Sequence, residues 1–397
     1  MRKSGFYLTC FCVLSCFGCG HYDVGSSAPS VTLLRAPVKL RLDFDSSGLP
    51  LIQARVNGRG PYSCVLDTGT SCLVLDRKAL RKVNPRVKGT TVTMSTPAGP
   101  KNLGPMYHVD TVKLGEAEFH GLEACSADLS NLVSATEPQI DAVLGLGMFA
   151  HCQLTIDYAA GEILLERAET TRLEDDRESK IILPLKLSER GVLYAPLAIN
   201  GTTVWAMIDS GHSAGFTFPD SLAQELFFVD RPVRLPSATA TFHGSVANYA
   251  ARLKGSVLLG RNKFVNPIIR IQGNKPLIGS DVLKHFAVTI NLRKKVAYFA
   301  RHKPGPIGPS PSIRHHGFFY RSQQDCWLVK SAIVGTTLDK LGLRVDDQVI
   351  NVNGRATSEL SKQDRQRLVD TNDRLVLHII RDGQELTIEI PVTILIP

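Results

Sequence analysis

The chain of 397 residues has no uninterrupted apolar run approaching the roughly 20 residues that a membrane-spanning helix requires. It has no Cys-x-x-Cys pair beyond residue 19, so the thiolate spacing of a structural zinc site is missing. It carries no phosphate-cradling glycine loop, metal-ligating cluster or nucleic-acid module, so no cofactor, metal or nucleic-acid partner is expected. Long amphipathic helical periods are missing between residues 35 and 300. Runs of like charge are too short to form a tail, although 46 Lys and Arg against 37 Asp and Glu leave a net charge of +9. That excess favours an anionic surface without specifying one. Hydrophobic residues at 43% and charged residues at 21% exclude wholesale disorder. Length alone suggests two or three domains.

The nine cysteines divide unevenly. Cys10, Cys12, Cys16 and Cys19 crowd the start, and Cys64, Cys72, Cys125, Cys152 and Cys326 are scattered. An odd, scattered set is not a disulfide framework, although Cys64 and Cys72 are near enough in sequence to pair. The crowded start reads as a targeting segment. Met1-Arg2-Lys3 is basic, and Phe6 to Leu14 is an apolar run of signal-peptide length. Val13-Leu14-Ser15-Cys16 resembles a bacterial lipobox, with Cys19 as a second candidate for the lipidated residue. The expectation is a bacterial protein exported to the periplasm or cell surface and tethered to the membrane by its lipid. Residues 1–30 would serve as signal and tether, a plain secretory peptide being the alternative.

The body of the chain is an internal repeat. Gly48 to Gly58 and Gly191 to Gly201 are both extended apolar runs that end in Asn-Gly, a strong hairpin signal. A second strand succeeds each turn and ends in Val65-Leu66-Asp67-Thr68-Gly69 or Met207-Ile208-Asp209-Ser210-Gly211. Downstream, Val143-Leu144-Gly145 and Leu277-Ile278-Gly279 match each other, 78 residues after Asp67 and 70 after Asp209. Each half reads as strand, Asp-Thr/Ser-Gly turn, further strands, apolar-apolar-Gly, short helix and closing hairpin.

One Asp-Thr-Gly is an ordinary turn signal. Two, in matching repeats over residues 35–300, resemble the aspartic proteases, both the pepsins and the smaller-lobed retroviral-protease-like family. The resemblance implies two pseudo-symmetric, mostly β lobes, 31–170 and 171–302, each of β-barrel type. Their turns would bring Asp67 and Asp209 together as a catalytic dyad. Two such carboxyls share one proton; the ionised one activates water and the protonated one steadies the carbonyl oxygen. Thr68, Gly69, Thr70, Ser210, Gly211 and His212 would support the dyad, with Thr70 able to bond its own Asp. His212 departs from the small or hydroxyl residue expected there, and a charged His would lower the carboxylates' pKa values. Flap hairpins over the cleft are expected at Pro97, Ala98 and Gly99 and at His243 and Gly244. Having both turns in one chain implies a monomer acting on polypeptide substrates.

Two rival readings share these residues. A silent peptide-binding protein of the same fold would keep the cleft without turnover. Gly211-His212-Ser213-Ala214-Gly215 also fits the nucleophile elbow of a serine esterase, although Phe216-Thr217-Phe218 continues extended where a helix is needed.

A Pro-rich linker, 303–313, leads to residues 314–397. There, Leu341 to Gly354 resembles the core of a PDZ domain: a helix over Thr336–Leu341, a strand over Gln348–Val352 and an Asn-Gly turn. A hairpin with an Asp382-Gly383 turn closes it. The resemblance implies an α+β module that captures a peptide or C-terminus as an added strand, with Gly317, Phe318, Phe319 and Tyr320 as its binding loop.

Overall fold

A computed structural model describes residues 11–12, 30–32, 36–45, 47–96, 99–130, 139–169, 180–188, 191–241, 244–333 and 335–397. The protein is mostly β, with 56% of it in strands. Among the described residues no helix is long and apolar enough to cross a membrane. The lipidation candidates Cys16 and Cys19 lie outside the described residues.

The repeat is visible as matching strand order. Strands Pro50–Val56 and Arg59–Asp67 turn at Asn57-Gly58, and Leu193–Ile199 and Thr202–Asp209 turn at Asn200-Gly201. Asn57 and Asn200 both take positive φ, 47° and 51°, which their short polar side chains tolerate. In each half the downstream apolar run returns as a parallel strand beside the Asp-bearing one. Ala142–Gly145 sets Gly145 opposite Asp67, and Leu277–Gly279 sets Gly279 opposite Asp209. These strands are buried throughout, so their sequence is apolar without alternation.

A six-stranded sheet joins the halves. At its centre Cys152–Asp157 pairs with Phe286–Asn291, and Thr155 Oγ1 lies 2.7 Å from its pseudo-symmetric mate Thr289 Oγ1. One apolar core runs through both halves and includes Phe119, Phe149, Phe216 and Phe286. Burial of this kind contributes roughly 25 cal/mol per Å² and is the main force holding the halves together.

The thiols of Cys64 and Cys72 do not meet. Cys64 Sγ donates to the Tyr62 carbonyl, whereas Cys72 Sγ lies 3.7 Å from Cys125 Sγ. The register explains this, because the strand after Cys72 runs parallel to the strand that carries Cys125.

The Pro-rich linker does not hang free as a tether. Ile307 bridges to Phe264, and its amide donates to the Lys263 carbonyl. Ser310 Oγ accepts from the Ile268 amide, and its carbonyl accepts from Arg252. The C-terminal module then forms a sheet of its own around Phe318, Val329, Val349, Leu377 and Ile379. Strand Gln348–Val352 and the Asp382-Gly383 hairpin stand where the sequence places them. The helix expected over Thr336–Leu341 shrinks to one 3-10 turn, Asp339–Leu341, ended by Gly342 at φ +68°.

Phe318, Phe319 and Tyr320 are not in a loop. They belong to strand Phe318–Ser322, paired with Trp327–Ala332, and only Gly317, at φ +91°, sits at the bend. The cause is burial: Phe318 is inaccessible in the module core, and Tyr320 stacks on Trp327 with ring centroids 4.4 Å apart.

Candidate active site

Both Asp turns are made by strands that end deep in the core, so Asp67 and Asp209 are fully buried. The backbones are cross-braced. Thr68 Oγ1 donates to the Ile208 carbonyl at 2.8 Å and accepts from the Ser210 amide at 3.0 Å. Ser210 Oγ donates to the Leu66 carbonyl at 2.7 Å and accepts from the Thr68 amide at 3.0 Å. Each hydroxyl thus ties the opposite turn, which fixes the two Asp residues relative to one another.

Close approach explains Gly69 and Gly211. A Cβ on Gly69 would lie 2.6 Å from Asp209 Cγ, and one on Gly211 would lie 2.5 Å from Asp67 Cγ. Only a residue without a side chain lets each backbone reach the facing carboxyl. Asp67 Oδ1 accepts from the Gly69 amide at 2.7 Å, and Asp67 is also hydrogen-bonded to Asp209 and to the Gly211 amide. Burial first, and then the Asp209 charge, hold the Asp67 carboxyl well above the usual carboxylate range. A pair of this kind keeps one proton at pH values where exposed carboxyls have lost theirs.

The apolar-apolar-Gly segments lock the turns from below. Leu146 donates to the Thr70 carbonyl, and Ser280 donates to the His212 carbonyl. A Cβ on Gly145 would meet the Cys72 amide nitrogen at 2.6 Å. Gly145→Ala is therefore expected to destabilise the protein by about 2–4 kcal/mol, because backbone cannot yield as a flexible side chain can. Urea denaturation of the variant checks this, and an unchanged midpoint would contradict the close packing.

Thr70 and His212 depart from expectation. Thr70 Oγ1 makes no bond to Asp67 and has no partner among the described residues. It is the Thr70 amide that donates to the Asp67 carbonyl, so backbone and not side chain closes this turn. His212 is buried, with Nε2 2.6 Å from Thr217 Oγ1. Burial, helped by the Arg270 charge, pushes its pKa down to about 3. It is thus neutral at any ordinary pH and does not draw down the dyad.

Two residues not anticipated from the sequence extend the site. Ser280 Oγ donates to the Ser210 carbonyl at 2.7 Å, and Tyr158 Oη lies 3.4 Å from Ser280 Oγ. This buried chain links one half to the turn of the other. The only sequence signal is position, since Ser280 follows the Leu-Ile-Gly run and Tyr158 follows strand Cys152–Asp157.

The expected flaps fall at hairpin ends. The ladders close on Thr96 opposite Gly99 and on Thr241 opposite Gly244, while Pro97, Ala98 and His243 lie outside the described residues. Ser213 follows a strand and precedes another, Phe216–Phe218, so the strand-turn-helix of an esterase elbow is not formed. Ser213 Oγ has no hydrogen-bond partner among the described residues.

Residues 52–148 match the family model for aspartyl proteases. The matched aspartyl-protease segment runs from the first strand of the repeat through Asp67 and Gly145 to Met148. This match supports a protease-type function. No curated protein is matched by the chain. Among solved structures the chain is similar to the crystal structure of Basic 7S globulin from soybean. That likeness has 12% identity and a TM-score of 0.39, and covers 66% of this chain and 94% of that one.

Proposed function

We propose that the chain is an aspartic endopeptidase in which Asp67 and Asp209 share one proton and activate a water for attack on a peptide bond. The observation that carries this reading is the pair of buried, facing carboxyls held by reciprocal Thr68 and Ser210 bonds. The ionised member takes the proton of the attacking water, and the protonated member donates to the carbonyl oxygen. Gly69 and Gly211 amides steady whichever carboxyl is ionised. The hairpins that close on Gly99 and Gly244 serve as flaps over an extended substrate. Asp67→Asn and Asp209→Asn, each tested on denatured casein, decide the matter: either variant cutting at the wild-type rate overturns the dyad. Binding without cleavage by the wild-type chain would favour a silent peptide binder.

The C-terminal module is proposed to be PDZ-like, on the order of its strands and the Asn353-Gly354 and Asp382-Gly383 turns. Export with lipidation at Cys16 or Cys19 is proposed on the leader pattern alone. Labelling of a bacterial host with an alkyne-bearing fatty acid should tag the wild type, and tagging that survives in the Cys16→Ser, Cys19→Ser double variant would refute it.

A further inference from the structure

We propose that the C-terminal module is one wall of the substrate cleft, and that the cavity between it and the lobes binds polypeptide residues lying beyond the scissile bond. This deepens the endopeptidase reading and rests on it. The cavity holds about 760 Å³. That is within the 300–1,000 Å³ usual for ligand sites. It is lined by parts from the whole chain: Ser213 beside the second Asp turn, Ser47 of the first lobe, Arg270 of the second, Ser312 of the linker, and Arg314 and Gln366 of the module.

Its position ties it to the dyad. Ser213, Ala214 and Gly215 all line it, and Ser213 is two residues past Gly211. An extended peptide crossing the dyad advances about 3.3 Å per residue. In the proposed path, a peptide leaving the dyad runs along that turn toward the cavity. The turn itself forms part of the cavity wall, since Ser213, Ala214 and Gly215 are consecutive. The walls carry both signs, Arg270, Lys284 and Arg314 with Asp281 and Asp370, which suits polar side chains.

The wall is fixed in place. Arg252 donates to the Asn266, Ser310 and Pro397 carbonyls, so one side chain holds the second lobe, the linker and the C-terminus. Leu395 and Ile396 of the last strand pack with Leu235 and Ala250 of the second lobe. The module itself offers little room. Beside strand Phe318–Ser322, His316, Tyr320, Trp327 and Arg365 pack on one another and leave a gap of about 10 Å³. The larger space is therefore between module and lobes.

The test uses the full chain and casein-derived peptides of about twelve residues (~40 Å extended) and about six. Gln366 is exposed on helix Lys362–Thr371 and lines the cavity, so Gln366→Trp fills it; Arg367→Trp, on the same helix away from the cavity, is the control. Gln366→Trp should lower kcat/KM for the long peptides at least tenfold relative to the short ones, and Arg367→Trp should leave that ratio alone. The same comparison is made by fluorescence anisotropy in the Asp67→Asn chain. Length-dependent binding lost with Gln366→Trp supports the cavity even where the wild type cuts nothing, an outcome that would sink only the dyad. Equal binding of long and short peptides, or an equal effect of both Trp variants, overturns the proposal.

Discussion

Asp67→Asn and Asp209→Asn are each expected to lower kcat on denatured casein by at least about 10³-fold, while making the protein more stable at neutral pH. The activity loss comes from the division of labour. One carboxyl acts as base and the other as acid, and general acid–base catalysis accounts for about 10²–10⁴-fold by itself. Asn at either place removes the shared proton and the charge together, so neither role survives. The stability gain has its origin in the same burial. The folded Asp67 pKa is raised, so between the unfolded value near 3.8 and the folded value the native state binds more protons than the unfolded chain. Stability is therefore fully present below the unfolded value and declines as pH rises through the folded one. An amide at this place does not titrate and escapes that decline. Urea denaturation at pH 4 and pH 7 should show the variants gaining on the wild type as pH rises. A variant that loses activity and loses stability equally at both pH values would mean that the turn had been broken and the chemistry left untested, and a third substitution, Asp67→Glu, then separates the cases. Glu keeps the charge; if it restores neither activity nor the pH slope, the dyad assignment fails.

The turns are legible in the sequence because they obey local rules twice. Asn57-Gly58 and Asn200-Gly201 require positive φ, and the Asp-Thr/Ser-Gly turns come directly after apolar strand ends. Register adds what no local rule contains: that Gly145 and Gly279 lie opposite Asp67 and Asp209. The Tyr158–Ser280–Ser210 chain is illegible for that reason, since its members meet only when the strands align. Phe318 to Tyr320 fall in a loop on the PDZ resemblance alone, as its peptide-binding loop. In fact the aromatics have core and stacking partners that pull the segment into a strand. Helix Lys362–Thr371 does carry a written signal, since Ser361 and Asp364 form a capping box at its start. The docking of the linker carries none, because it depends on Arg252 reaching three distant carbonyls.

Acid is expected to destabilise the protein from pH values just below neutral, and His212 is one cause. Its folded pKa is about 3 against about 6.5 when unfolded. The unfolded chain therefore takes up a proton, below pH 6.5, that the native chain refuses. Stability from this group is complete above 6.5 and is lost as pH falls toward 3. Between pH 7 and pH 4 the loss is about 3 kcal/mol, rising to about 5 below the folded value. His315, pushed down to about 4 by burial, and His316, lowered by burial and by the neighbouring His315 and Arg365 charges, act in the same direction within the module. His212→Thr copies the residue at the matching position of the first half, Thr70. It forfeits packing and the Thr217 bond, a cost that does not change with pH. The readout is therefore the slope: the variant should lose about 3 kcal/mol less than wild type between pH 7 and pH 4. A slope equal to wild type would show that His212 titrates normally and is not sealed from water. The consequence for activity is specific. Loss of stability in acid through His212 is expected to cut activity on the acid limb of the pH–rate profile. His212→Thr should extend that limb downward, whereas substitutions at Asp67 remove the profile altogether.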